Sequence, residues 1–172
     1  MKSTLLLLLA LSGGAFAADP GQSDPAMPMP HAVTHAEDTA WGPAPPSLPA
    51  GAQAAVLVGD PGKEGSFTLR LKMPPGYRVP RHWHPTDEAV TLIEGDLTLS
   101  MGQATMAHDG VLSPGDFVNL PAHMHHQASS KGGAVVQIQS MGPFEIHYID
   151  PNDDPRNQAM PKAKAGKTGK TK

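Results

Sequence analysis

Two short segments of this sequence carry residues that could hold a metal ion. The first contains His82, His84 and Glu88 within seven positions. Side chains alternate between the faces of an extended strand, so imidazoles two residues apart point to the same side. Pro85 interrupts the strand, and a turn there can bring the Glu88 carboxylate beside the two imidazoles. Two neutral nitrogen donors and one oxygen donor suit a borderline divalent cation.

The second segment, residues 115–129, offers a fourth ligand from His123, His125 or His126. His125 and His126 are adjacent, so on a strand they face opposite sides and only one can point inward. The pattern of this segment alone does not determine which one does, because strand parity can shift.

The spacing of both segments resembles the two motifs of the cupin family. Every fixed position of the first motif is matched, by Gly76, His82, His84, Glu88 and Gly95. The second motif is matched at three positions, by Gly115, Pro121 and His126. His123 stands where the family usually has glycine, and Ser130 stands where asparagine is common. The resemblance covers about residues 52–149.

This resemblance implies an all-β fold, a single double-stranded β-helix or jelly-roll barrel, with one metal ion at its mouth. The implied metal ligands are three histidines and one glutamate: His82, His84, Glu88 and His126. The family spacing favours His126 over His125 as the fourth ligand. Three nitrogens and one oxygen fit Fe, Mn, Ni, Zn or Cu without choosing among them, and they leave positions for water or substrate.

The implied function is a metal-dependent enzyme, an oxygenase, decarboxylase, isomerase or lyase, acting on a small oxygenated or carboxylated molecule. The alternative is a non-catalytic periplasmic protein that binds or senses a metal or small ligand, since no general acid or base stands out. Arg78 and Arg81 could receive a carboxylate, although surface charge is the favoured interpretation. Tyr77 and Tyr148 could line the pocket or pack in the core.

The rest of the chain also has the pattern of a β-barrel. Apolar residues alternate at Phe67, Leu69 and Leu71, and short apolar runs are separated by Gly and Pro turns, with no long helical period. Residues 88–102 are typical of a β-hairpin with its turn at residues 94–96. We therefore expect the barrel to span residues 51–150, followed by a turn-rich and Lys-rich disordered tail at 151–172.

The N-terminus has the features of a secretory signal peptide. Lys2 precedes an apolar run, and Ala15-Phe16-Ala17 forms a cleavage site. We expect cleavage after Ala17 and a periplasmic or secreted mature protein. The sequence has no cysteine, so any metal ligands are nitrogen, oxygen or thioether atoms.

Residues 18–50 form a Pro-rich segment that cannot sustain a helix or central strand, and we interpret it as an extended arm. It contains two methionines and two histidines that could bind copper: Met27, Met29, His31 and His35. A plain linker is the favoured interpretation, because a flexible arm loses much conformational entropy on binding.

Charge and hydropathy narrow the possible partners. The formal net charge is −3, and five of the thirteen basic residues lie in the last twelve positions, so the body of the chain is clearly acidic. An acidic body argues against nucleic acid as a partner. No apolar run after the signal segment is long enough for stable membrane insertion. We expect a small-molecule substrate or ligand, and an exposed edge strand would permit a homodimer.

Overall fold

The structure is a computed structural model that describes residues 33–102 and 108–158. The described residues from Thr34 onward belong to one compact unit. The predicted signal peptide, the arm up to residue 32 with Met27, Met29 and His31, and the Lys-rich end from residue 159 lie outside the described residues. Among the described residues there is no helix with the length and hydropathy to cross a membrane.

Short antiparallel strands make up most of the described chain. They are β1 (Gly42–Pro43), β2 (Gln53–Val58), β3 (Gly65–Met73), β4 (Arg78–Trp83), β5 (Glu88–Gly95), β6 (Leu97–Met101), β7 (His108–Leu112), β8 (Phe117–Leu120), β9 (His126–Ser129), β10 (Ala134–Gly142) and β11 (His147–Tyr148). Residues 151–158, which we assigned to the tail, contain a 3-10 turn at Pro151–Asp153 and a short helix, α1, at Pro155–Gln158.

The strands form two sheets with the topology of a jelly roll. One sheet has the order β1-β2-β3-β10-β5-β8, and the other has the order β11-β4-β9-β6-β7. Strand β10 enters between β3 and β5, so strands distant in sequence lie side by side. The predicted all-β jelly-roll fold is confirmed.

The predicted hairpin at residues 88–102 is wrong. Strands β5 and β6 lie in different sheets, with β5 between β10 and β8 and β6 between β9 and β7. Gly95 has φ +84°, and a Cβ atom there would overlap the carbonyl of Gly133. The Asp96 carboxylate accepts hydrogen bonds from the backbone amides of Lys131 and Gly132, at 2.8 and 2.6 Å. The turn is therefore a corner between the sheets, and the alternating pattern of both strands is the same in either arrangement.

The core lies between the two sheets and follows the alternation of the strands. In β3, Phe67, Leu69 and Leu71 are buried as the pattern predicts, and in β5 Leu92 is fully buried. Because both sheets turn their apolar faces inward, any polar side chain on an inward position is removed from water.

The end of the predicted arm packs on the barrel. Strand β1 pairs with β2, and the Lys72 ammonium lies 4.3 Å from the centre of the Trp41 ring. The carbonyl of Pro49 accepts a hydrogen bond from the Tyr77 hydroxyl at 2.5 Å. The carbonyl of Ser47 accepts one from the Tyr148 hydroxyl at 2.7 Å. The hydroxyl of the buried Tyr77 and that of the partly buried Tyr148 therefore hold residues 47–49 against the body.

Candidate metal centre

A β-bulge in β4 points the first two histidines inward. Val79 pairs with Ala128 and His82 pairs with His126, so β4 advances three residues while β9 advances two. The extra residue lies beside Pro80, and proline within a strand is typical of a bulge or an edge position. Val79 points inward, and residues three apart on a regular strand face opposite sides, so without the bulge His82 would face out. With it, His82 and His84 are only 4% and 5% exposed.

Three imidazoles meet at this point. His126, at the start of β9, lies directly across the strand pair from His82, with ring centres 4.1 Å apart. One ring nitrogen from each of His82, His84 and His126 lies within 4.8 Å of the others, and all three residues are buried. The structure therefore brings together the three histidines that the sequence and the resemblance indicated.

The other nitrogen of each ring is held by a backbone carbonyl. The Nδ1 atom of His82 lies 2.7 Å from the oxygen of Pro80, and that of His126 lies 3.0 Å from the oxygen of Met124. The Nδ1 atom of His84 lies 2.6 Å from the oxygen of Glu145. A carbonyl oxygen can only accept a hydrogen bond, so each Nδ1 atom carries the proton and donates the hydrogen bond. Each Nε2 then keeps a free lone pair in the neutral ring, the arrangement of a metal-binding histidine.

Glu88 reaches the same point from the opposite sheet. It is the first residue of β5 and is 6% exposed. Its Oε2 atom lies 3.3 Å from Nε2 of His126 and 3.6 Å from Nε2 of His84. Asp87 orients the connection before β5, because its carboxylate accepts a hydrogen bond from the Ala122 amide at 2.8 Å. The four side chains therefore join the two sheets at one buried polar point.

The electrostatics of the site favour neutral imidazoles. Burial, reinforced by the neighbouring His126 and His84, lowers the pKa of His82 to about 3. Burial also lowers the pKa of His84. For Glu88, burial raises the pKa, but the neighbouring imidazoles of His126, His84 and His82 outweigh it, so the net pKa is lowered. Neutral imidazole and ionised carboxylate are the forms that bind metals.

The donor set passes a direct test of fit to a divalent cation. Among the described residues, nothing forms a hydrogen bond to the buried Nε2 atom of His84. A buried polar atom without a partner is costly, and such an atom calls for a ligand. A cation bound by the three Nε2 atoms and the Glu88 carboxylate would satisfy this nitrogen. Mixed nitrogen and oxygen donors suit first-row transition metals.

The departures from the second family motif have simple structural roles. His123 has φ +63°, the left-handed conformation that glycine adopts readily, and its exposed side chain is not part of the histidine cluster. Its amide donates to the carbonyl of His84 at 2.8 Å. Ser130 is buried, and its hydroxyl accepts from the Gly133 amide at 2.9 Å. His125 is not part of the histidine cluster.

The remaining histidine of the last strand lies outside the centre. His147 stacks on the Trp83 ring with centres 4.2 Å apart, and it pairs with the Glu145 carboxylate at 2.9 Å. His123 lies on the same Trp83 ring at 4.8 Å. Trp83 therefore faces away from the ligands, as alternation predicts. His147 does not line the cavity and is not part of the histidine cluster, so its contacts with Trp83 and Glu145 are structural.

A cavity of about 190 Å³ lies between the sheets beside the four polar side chains. Its other walls are almost entirely apolar, and arm residues Pro45, Ser47 and Leu48 line part of it. Tyr77 and Tyr148 are not among its lining residues. Burial raises the pKa of Tyr77 to about 12 and that of Tyr148 further still, so both remain hydroxyl donors to the arm.

Comparison with known proteins places the chain in a family. Residues 27–147 match the DUF4437 family, which is described as a domain of unknown function. The chain belongs to the DUF4437 family. No curated protein matches it significantly.

Solved structures similar to this DUF4437 protein share its fold. KdgF from a Halomonas species is 18% identical, with a TM-score of 0.51, and the match covers 64% of this chain and 94% of KdgF. An RmlC-like cupin from Shewanella frigidimarina is 16% identical, with a TM-score of 0.51, over 63% of this chain and 87% of the cupin. Oxalate decarboxylase from Bacillus subtilis, which has Mn(II) centres, is 18% identical, with a TM-score of 0.52, over 66% of this chain and 31% of the enzyme. These similarities show the cupin jelly-roll fold, as the sequence motifs implied.

Sequence reasoning missed the three carbonyls that orient the imidazoles. Two of them, from Pro80 and Met124, lie two residues before the histidine that they hold. The third, from Glu145, lies 61 positions after His84. Backbone carbonyls carry no residue-type signal, so only the fold could reveal them.

Proposed function

We propose that this protein is a metal-dependent cupin enzyme that acts on a small oxygenated or carboxylated molecule. The cation is bound by His82, His84, Glu88 and His126. The observation that carries the proposal is the set of three Nδ1–H···O=C bonds, which leaves the Nε2 lone pairs of three clustered rings free. Two of these Nε2 atoms, those of His84 and His126, lie within 3.6 Å of the buried Glu88 carboxylate. The cavity beside these atoms provides space for the substrate.

The bound cation would supply Lewis acidity to a substrate oxygen. The chain itself supplies orientation and exclusion of water. The carbonyls of Pro80, Met124 and Glu145 prevent the rings from rotating, so the donor atoms need little reorganisation. The apolar walls keep the site at low dielectric, which strengthens every charge interaction there.

Elemental analysis tests the metal proposal. Purified protein should bind one divalent cation per chain, and His84→Ala should abolish binding because it removes a buried donor. The matched control is His123→Gly, which changes an exposed histidine at positive φ to the residue that the family usually has there. Equal metal content in all three proteins would refute the proposed ligand set.

A non-catalytic binding or sensing role is the second candidate. The observation that favours it is the cavity lining: beyond the four proposed ligands, none of the described lining residues carries an acidic or basic side chain. A metal-loaded protein that binds small oxygenated molecules but converts none of them would support this role. Turnover that is lost in His84→Ala, and that added base does not restore, would support an enzymatic role.

Export is part of the proposal and is supported by the sequence of residues 1–17. Fractionation of the source cells followed by N-terminal sequencing tests it. A mature N-terminus at Ala18 in the periplasmic or secreted fraction is expected, and an intact N-terminus in the cytoplasmic fraction would refute it.

A further inference from the structure

The apolar composition of the cavity walls restricts the kind of molecule that the cavity can bind. Apart from the four proposed ligands, the lining is dominated by branched aliphatic side chains on both sheets, including Leu69, Leu71, Val90, Leu97, Leu99 and Ile138. Each of these residues is less than 10% exposed. A ligand in this space therefore meets hydrocarbon on every side except the one that faces the centre.

The described lining residues include no lysine or arginine that could neutralise a carboxylate. The two arginines of β4, which the sequence offered for this role, are engaged elsewhere. Arg78 Nη2 donates to Gln127 Oε1 at 2.6 Å, and Arg81 Nη1 donates to the carbonyl of Gly102 at 2.8 Å. A charge on the ligand that does not contact the cation would thus be buried without a partner, which is strongly unfavourable.

The size of the cavity sets an upper limit on the ligand. An apolar protein cavity of about 150 Å³ holds one benzene molecule, and this cavity has about 190 Å³. The arm closes part of it through Pro45 and Leu48, and the Tyr148 hydroxyl holds that segment. The space therefore fits a six-membered ring with one or two small substituents.

We propose that the ligand is a mainly apolar molecule of about this size, with one oxygen group directed at the centre and no charge on its remaining atoms. Phenols, cyclic ketones and aldehydes belong to this class, whereas dicarboxylates do not. The position of the ligand oxygen rests on the proposed function, because it requires a cation at the centre. The exclusion of charge rests on the cavity walls alone.

Three phenols that share one oxygen and differ at the opposite end of the ring test the inference. They are 4-methylphenol, 4-hydroxybenzamide and 4-hydroxybenzoate, which present a methyl group, a neutral amide and a carboxylate. Their affinities are measured by calorimetry on the full-length protein, both with Mn(II) and without a cation. We expect the cation-free protein to bind 4-methylphenol roughly tenfold or more tightly than 4-hydroxybenzoate, because without a cation the carboxylate is unpaired in either orientation. The amide has nearly the size of the carboxylate without its charge, so it should lie between them.

The outcomes separate this inference from the proposed function. If Mn(II) binds but the cation-free protein binds 4-hydroxybenzoate as tightly as 4-methylphenol, the inference is overturned and the metal centre stands. If none of the three phenols binds either form, the inference is also overturned. If no cation binds and the preference for 4-methylphenol persists, the proposed function fails and the charge selectivity of the walls is supported.

Discussion

Replacing His126 by alanine should weaken metal binding strongly, whereas replacing its neighbour His125 should change it little. The two residues differ by one position in sequence, but only His126 is in the buried histidine cluster. His126 is 3% exposed and lies 3.3 Å from the Glu88 carboxylate, while His125 is partly exposed. The pair therefore tests the parity of β9 as well as the ligand set.

The expected magnitude follows from the number of donors. Four-ligand zinc sites have binding free energies of about 10–16 kcal/mol. Shared equally, one ligand contributes about 3–4 kcal/mol, which corresponds to roughly a 100- to 1,000-fold loss of affinity. His126→Ala also removes a buried side chain and its hydrogen bond to the Met124 carbonyl, so the metal-free variant should lose about 1–3 kcal/mol of unfolding free energy. A substitution outside the site, such as His125→Ala, should change affinity by about twofold or less.

Competition with a chromophoric chelator measures the affinity, and urea denaturation of the metal-free proteins measures the unfolding free energy. Circular dichroism of each variant shows that the barrel is folded before its affinity is compared. Similar losses in both variants would refute the reasoning, because they would mean that position in the strand does not select the ligand. A larger loss for His125→Ala would assign the fourth donor to the residue that precedes β9.

Three further predictions concern pH, the arm and the corner between the sheets. Burial lowers the pKa of His82 to about 3, so below pH 6.5 the unfolded chain takes up a proton that the folded chain does not. The unfolding free energy of the metal-free protein should therefore decrease by about 1.4 kcal/mol for each unit by which the pH is lowered. A free energy from urea denaturation that stays constant between pH 7 and 4 would contradict this. Tyr148→Phe removes the hydrogen bond to the Ser47 carbonyl. Amide hydrogen exchange in residues 44–50 should therefore accelerate, with a loss of about 1 kcal/mol of protection. Unchanged exchange would show that packing alone holds the arm. Gly95 has φ +84°, and Gly95→Ala places a methyl group against the Gly133 carbonyl. Thermal denaturation should therefore show a loss of more than about 1 kcal/mol of unfolding free energy. An unchanged stability would mean that the corner can relax.

Much of the candidate site was predictable because it is local in sequence. His82, His84 and Glu88 lie within seven residues, and their spacing indicated a shared face and a turn before any fold was known. The strands were predictable for the same reason, since alternation along β3 and β5 is a property of each segment alone. Hydrophobic alternation shows that a segment has one buried face, and it does not show which strand lies beside it.

For this reason the sequence by itself determined the strands, the absence of thiol ligands and a set of metal-binding candidates around His82 and His84. Only the tertiary structure decided that β5 and β6 belong to different sheets and that a bulge beside Pro80 directs the imidazoles inward. It also decided that the Glu145 carbonyl orients His84 and that the cavity walls carry no positive charge among the described residues. These features arise from contacts between segments far apart in the chain, and such contacts leave no periodic pattern in either segment.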